Sequence, residues 1–279
     1  MIDLHMHSTF SDGSLTPEQL AAEAQRCGLT AASLTDHDGT SGVDRFVQAC
    51  AQVGVLGIPG VEISVDIKKG TLHMLGYFIR TGDAAIEDVL VRIRDGRRLR
   101  NEEILHKLNK IGLAMTWDEV SAFASEDVVG RPHFAKAMAA RGYVATHHEA
   151  FDRYLGKGCP AYAERFRMSP GDSIDAIRKA GGVAVLSHPF TLELKPDTLR
   201  ASVAEWRDLG LAGIEVYYSE HSPDLVRQYE QLARDLGLVA TGGSDFHGDL
   251  NPNVHMGTGF GNLNVPDRCV DELKQRMNA

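Results

Sequence analysis

Over residues 1–80 short apolar runs alternate with longer stretches of helical period. IDLH, AASLTDHD and VLGIPGVEIS have the compact, apolar character of strands, while TPEQLAAEAQRCG and VDRFVQACAQVG between them repeat apolar positions on one helical face. The first helix carries its own boundaries: Thr16 is spaced to cap with Gln19, Pro17 suits the first helical position, and Gly28 closes the far end. After residue 175 the alternation returns in GGVAVLSHP, LRASVAEWRDLG, GIEVYY, PDLVRQYEQLARDLG and LVATGGSDFH. Repeated strand-helix units predict an α/β fold with a parallel sheet covered by helices, either open or closed into a barrel.

Residues 81–175 lose that rhythm. IEDVLVRIRDGRRLRNEEILHKLNKIG, TWDEVSAFA and RPHFAKAMAARGY are helical patterns in succession with little strand signal between them. Thr116 with Glu119 has capping-box spacing, and Ser169 followed by Pro170 starts another helix. The expected organisation is therefore a strand-helix domain of residues 1–80 and 176–279, interrupted by an all-helical insertion of residues 81–175 that caps the substrate.

Composition narrows the partners. No apolar run approaches the roughly 20 residues that cross a bilayer, so no membrane partner is expected. No basic segment leads into an apolar stretch at the N-terminus, and a cytoplasmic location is expected. Cys27, Cys50, Cys159 and Cys269 are scattered without a CxxC pair, the pattern of buried thiols rather than of a zinc ribbon or disulfide framework. A net charge of -9 disfavours long duplex nucleic acid, whose affinity rests on Lys and Arg neutralising phosphates. The basic stretch RIRDGRRLR reads as a solvated helix face, since Asp95, Glu102 and Glu103 are interleaved with its arginines. An anionic substrate would need local positive charge or metal.

Metal is what the polar residues at the strand ends indicate. In DLHMHS, His5 and His7 are two residues apart on an extended segment and so face the same way. Asp36 and His37 follow the second strand, Glu62 the third, His188 lies in VAVLSHP, and Asp245 and His247 end the last strand. The C-terminal strand ends of an α/β fold converge on one face, where ligands collect. His73, within TLHMLGYF, is the exception inside a strand, and Asp12 lies in the turn after the first cluster. Imidazole and carboxylate without thiolate suit manganese, zinc or iron, and the residues suffice for two or three ions. His106, His147, His148, His221 and His255 lack such company and receive no role.

Taken in order, DLHMHSTFSDG, LTDHD, GVEIS, TLHMLGYF, LSHP and GSDFH resemble the motifs of the PHP family, named for polymerase and histidinol phosphatase. The likeness covers residues 1–80 and 176–265. It implies a distorted (β/α)7 barrel and metal-dependent phosphoesterase chemistry. It also implies one metal held by His5, His7, Glu62 and Asp245, a second by Glu62, His73 and His188, and a third by Asp12, His37 and His247, with Glu62 bridging the first two. Some relatives carry histidine where this chain has Asp12. Manganese is the expected metal, with zinc or iron as alternatives.

The helical insert with GRPHFA and the closing GSDFHG most resemble the subgroup that removes the 3′-phosphate of nucleoside 3′,5′-bisphosphates, adenosine 3′,5′-bisphosphate to AMP for example. The alternatives are a 5′ to 3′ exoribonuclease on short 5′-phosphorylated RNA, a histidinol phosphate phosphatase, and a non-catalytic metal-binding module. Clustered divalent ions lower the pKa of bound water to about 7 and neutralise phosphoryl charge, which makes a metal-bridging hydroxide the expected nucleophile. Asp36 is expected to protonate the leaving group or to support a ligand. Arg131 and His133 are expected to grip a second phosphate, and Ser11, Ser187 and Tyr217 to touch substrate.

Overall fold

Seven strands pair in chain order: β1 (Ile2–Met6), β2 (Ala31–Leu34), β3 (Leu56–Val65), β4 (Leu72–Tyr77), β5 (Val183–Leu186), β6 (Gly213–Tyr218) and β7 (Val239–Gly243). The computed structural model describes residues 1–123 and 129–277. β7 returns to β1, with Met6 bridged to Phe246 in parallel and the Asp245 amide donating to the His5 carbonyl at 2.9 Å. The sheet is thus a nearly closed barrel. The chain divides into two compact units, Met1–Leu90 with Met168–Ala279, and Val91–Arg167.

In the barrel unit α1 (Pro17–Arg26) and α2 (Val43–Gln52) make the first two crossovers. Thr16 and Gln19 form the anticipated reciprocal cap on α1. β1 is buried along its whole length, the mark of a strand covered on both faces. Ile2, Leu4, Ile58, Tyr77, Val185 and Val239 form one apolar cluster, and Met6, Leu20, Leu34 and Phe46 belong to a second one.

The sheet departs from the uniformly parallel one that the strand-helix rhythm predicts. β4 runs antiparallel to both β3 and β5. Only residues 66–71 join β3 to β4, too few for the crossover a parallel pair requires, so the chain folds back on itself. His73, at the start of an antiparallel strand, therefore lies at the mouth formed by the C-terminal ends of the other strands. It pairs across the sheet with Ser64, two residues after Glu62.

From the barrel, α3 (Ala84–Lys110) runs into the helical unit, followed there by α4 (Trp117–Ser121), α5 (Arg131–Ala140) and α6 (His147–Ala150). Because α3 is continuous, the units separate at residues 90–91 and 167–168 rather than at 81 and 175. Ile104, Leu108, Phe134, Met138 and Leu155 share a core within this unit. Gly96 sits inside α3 because a Cβ there would come within 2.8 Å of the Phe166 Cβ. Within RIRDGRRLR, Arg98 meets the solvated-face expectation by pairing with Glu102 at 2.7 Å. Arg100 departs from it, being only 6% exposed. Back in the barrel unit, α7 (Pro170–Lys179), capped by Ser169, leads into β5, α8 (Pro196–Asp208) and α9 (Pro223–Leu236) flank β6, and α10 (Arg268–Arg276) ends the chain.

Candidate metal centre

The barrel brings all nine anticipated ligands into one connected cluster at the mouth, although they are spread over more than 240 positions of the chain. β1 delivers His5 and, one residue past its end, His7, both fully buried, and the turn that follows delivers Asp12. His37 follows β2 and bridges in parallel to Glu62 of β3. His188 follows β5, and Asp245 and His247 follow β7. Asp245 holds a left-handed φ of +57°, uncommon for a residue with a side chain and a mark of local constraint.

Glu62 is the hub. Its Oε2 lies 3.3 Å from His5 Nε2, 3.4 Å from His7 Nε2 and 3.1 Å from His37 Nδ1. The other oxygen, Oε1, lies 3.1 Å from His73 Nδ1 and 3.0 Å from His188 Nε2. One carboxylate thus presents its two oxygens to two sets of imidazoles, the shape a bridging ligand requires. Asp245 Oδ1 joins the first set, 3.4 Å from His5 Nε2 and 3.1 Å from His7 Nε2. A third set forms around Asp12, whose carboxylate is 3.3 Å from His247 Nε2 and 3.6 Å from His37 Nε2. His7 and His37 each turn their two ring nitrogens toward different sets.

These donors fit divalent ions. Asp12 Oδ1, His37 Nδ1 and Glu62 Oε2 are buried atoms without a hydrogen-bond partner among the described residues, and such atoms are costly unless something else satisfies them. Several imidazoles are also held with one nitrogen turned inward. His188 Nδ1 meets Thr191 Oγ1 at 3.0 Å, and that hydroxyl donates to carbonyls, so the imidazole must be the donor there. His247 Nδ1 donates to the Asp245 carbonyl at 2.8 Å. In both rings Nε2 is left as the atom facing the carboxylates, the one that ligates a metal once its proton is given up.

Electrostatics within the cluster follow from this crowding. Burial alone would raise Glu62, but the imidazoles of His5, His73 and His37 outweigh it and hold the carboxyl well below its usual range. Asp245 is lowered in the same way against its burial, by His5, His7 and His247. Burial pushes His37 down to about 4 despite Asp12 and Glu62. Burial also opposes the charge on His247, yet the adjacent carboxylates of Asp12 and Asp245 raise it from 6.5 to about 9. A raised imidazole stabilises the chelator-stripped fold fully below pH 6.5, and that contribution disappears as pH climbs through 9. Metal must displace the same proton. The stripped protein is therefore expected to melt lower as pH rises from 6.5 to 9, while the gain in Tm on adding manganese widens. Thermal melts across that range decide the matter, and a gain that narrows would contradict it.

Other expected site residues are placed differently. Asp36 is buried just behind the cluster and accepts the Ser8 amide at 2.7 Å and the Ser8 and Ser11 hydroxyls at 2.6 and 2.7 Å. Both its oxygens, and the Ser11 hydroxyl, are thus committed internally. Ser187 donates to Glu62 Oε1 at 2.8 Å. Tyr217 points away from the ligands, its hydroxyl on Glu230 at 2.8 Å. Arg131 and His133 open α5 in the helical unit.

Four residues that the sequence did not single out also shape the mouth. Glu215, fully buried on β6, meets His5 Nδ1 at 2.9 Å. Tyr218 donates to Asp245 Oδ2 at 2.8 Å. Asp3 ties β1 to Ser244, and Asp38 accepts the Ser64 amide and hydroxyl. A carboxylate inside an otherwise apolar strand pattern, such as the Glu of GIEVYY, is the signal that marks Glu215.

A PHP domain model matches residues 3–159. The chain is 33% identical to a 3′,5′-nucleoside bisphosphate phosphatase of Chromobacterium violaceum, over 88% of this chain and 87% of that protein. It is 34% identical to a 5′-3′ exoribonuclease of Salmonella typhimurium, over 88% and 84%. Among solved structures, an amidohydrolase from Chromobacterium violaceum, with bound sulfate and no metal, superposes with a TM-score of 0.81 at 32% identity, covering 99% of this chain and 96% of that one. Given the barrel, its ligand-bearing mouth and these likenesses, the chain belongs to the PHP domain family.

Proposed function

We propose that the protein is a metal-dependent phosphoesterase that removes the 3′-phosphate from nucleoside 3′,5′-bisphosphates. The observation that carries the reading is Glu62, a buried carboxylate with each oxygen turned to its own set of imidazoles, in a chain one-third identical to a bisphosphate phosphatase over most of its length. Divalent ions bound there supply a water acidified to near pH 7 and neutralise phosphoryl charge. Manganese suits the mixed imidazole and carboxylate donors. His5, His7, Glu62 and Asp245 would hold one ion, Glu62, His73 and His188 another, and Asp12, His37 and His247 a third. The full ligand set argues against a non-catalytic module. Asp36, with both oxygens engaged, acts as a tether for the turn that carries Asp12 rather than as a proton donor.

The helical unit has the chemistry to grip a phosphate. Arg100 is buried, its Nε has no hydrogen-bond partner among the described residues, and burial together with Arg165, Arg131, Arg97 and Arg167 pushes it down to about 9. Arginine seldom gives up its proton, so a buried guanidinium whose Nε meets no acceptor among the described residues suits an anion. Arg131 lies with its guanidinium 5.4 Å from the Tyr162 ring centre at the start of α5. His133 Nδ1 accepts the Gly130 amide at 2.9 Å, which leaves Nε2 as the donor of the neutral ring. We assign Arg131, His133 and Arg100 to the non-reacting phosphate.

The exoribonuclease reading is supported by a relative of similar identity, and on a 5′-phosphorylated RNA it would call for the same grip on a terminal phosphate. Phosphate release from a 3′,5′-bisphosphate is to be compared with mononucleotide release from a short 5′-phosphorylated RNA on one preparation. Faster turnover of the bisphosphate is expected, and a preference for RNA would favour the alternative. Arg131→Ala should raise KM for the bisphosphate by about 10- to 100-fold, the worth of a charge-assisted contact, and weaken binding of inorganic phosphate. Unchanged KM would remove Arg131 from the assignment.

A further inference from the structure

Glu215 is buried on β6, is no part of the ligand set, and touches two ligand-bearing segments, those of His5 and His188. Its Oε1 lies 2.9 Å from His5 Nδ1, and its Oε2 accepts the His188 amide at 2.7 Å. Ser187 Oγ, which donates to the Glu62 hub at 2.8 Å, lies 3.3 Å from the same Oε2. We propose that Glu215 is the positioning residue that fixes the tautomer of His5, holding its proton on Nδ1 so that the Nε2 lone pair faces Glu62 and Asp245.

The argument is one of donors and acceptors. The His188 amide can only donate, so the oxygen opposite it must accept. A carboxylate has a second acceptor to spare, and His5 Nδ1 must then carry the proton. An amide at this position has only one acceptor. In Glu215→Gln the oxygen is claimed by the His188 amide, and the NH2 group faces His5 Nδ1. That nitrogen must become the acceptor, the proton moves to Nε2, and the lone pair aimed at the cluster is lost. A substitution nearly identical in size thus inverts the ring. Outer carboxylates on metal-bound histidines act this way, and their loss costs about 10- to 100-fold in metal affinity.

The proposal rests on the metal-binding reading of the cluster, but its test needs no substrate. Nitrogen-15 spectra of histidine-labelled, chelator-stripped protein, with His5 assigned by substitution and the pH alkaline enough to neutralise a ring whose second proton is held, against burial, by Glu215, Glu62 and Asp245, should show Nδ1-H in the native chain and Nε2-H in Glu215→Gln. Manganese titration followed by elemental analysis should show one ion weakened by about 10- to 100-fold, with the ion of Asp12, His37 and His247 retained. Glu215→Gln that keeps the native tautomer, or keeps every ion at native affinity, overturns the proposal. Failure of the native protein to hydrolyse any phosphate ester would instead defeat the enzymatic reading and leave the tautomer result standing.

Discussion

Glu62→Gln is expected to lower kcat/KM for phosphate release by on the order of 1,000-fold or more, and to reduce bound metal at the same time. Glutamine keeps the size of the side chain and one acceptor oxygen but loses the charge that faces five imidazoles. The oxygen that remains can serve one set of histidines and not both. Charge stabilisation by bound ions is worth several kcal/mol in phosphoryl transfer, and about 1.4 kcal/mol is tenfold in rate. The stripped variant should also be less stable than the stripped native protein, since removing one partner from buried charges leaves the others uncompensated. Elemental analysis and rates on one preparation test both parts. A variant that keeps its metal and falls by less than tenfold would show that Glu62 is not the hub.

Much of this centre was legible before any coordinates because its residues are improbable where they stand. His5, His7, His37, His188 and His247 interrupt or end apolar strand patterns, where an unpaired polar side chain would be costly. An α/β topology gathers such ends at one mouth whatever their separation in the chain. The direction of β4 was less legible, because alternating apolar residues specify a strand but not its sense. Only the short link of residues 66–71 carries that information, and its effect is to bring His73 to the mouth.

Two other features were hidden for physical reasons. Arg100 stands in a stretch whose composition is that of a solvated helix, and which face of α3 turns inward depends on its neighbours in the folded unit. The supporting carboxylates Asp3, Asp38 and Glu215 act through partners far away in sequence. Asp3 pairs with Ser244 across 241 positions, and Glu215 with His5 across 210. Spacing rules see local partners such as Thr16 and Gln19 and cannot see these. The ligands were thus readable from their own chemistry, while the residues that aim them became visible only through hydrogen bonds.

Asp3→Ala is expected to cost about 3–5 kcal/mol of stability, a drop in Tm of roughly 10 °C for a chain of this size. Asp3 is fully buried beneath the seam where β7 meets β1. One of its oxygens accepts the Ser244 and His5 amides at 2.9 and 3.3 Å, the other the Ser244 hydroxyl and the Gly257 amide at 2.5 and 2.7 Å. Alanine leaves these donors buried with no acceptor. Asn is no remedy, since either orientation of its amide turns an NH2 group toward an amide N-H. The consequence reaches the metal centre because Ser244 immediately precedes Asp245, whose left-handed backbone needs anchoring on both sides. Once Ser244 is released, Asp245 relaxes toward ordinary backbone angles and its carboxylate leaves His5 and His7. The Tm gain on adding manganese should therefore be smaller in Asp3→Ala than in the native protein, in addition to the lower starting point. Thermal melts with and without metal separate the two effects. A variant that melts within 2–3 °C of native would show that the seam closes without this carboxylate, and a full metal-induced gain would show that Asp245 holds its place unaided.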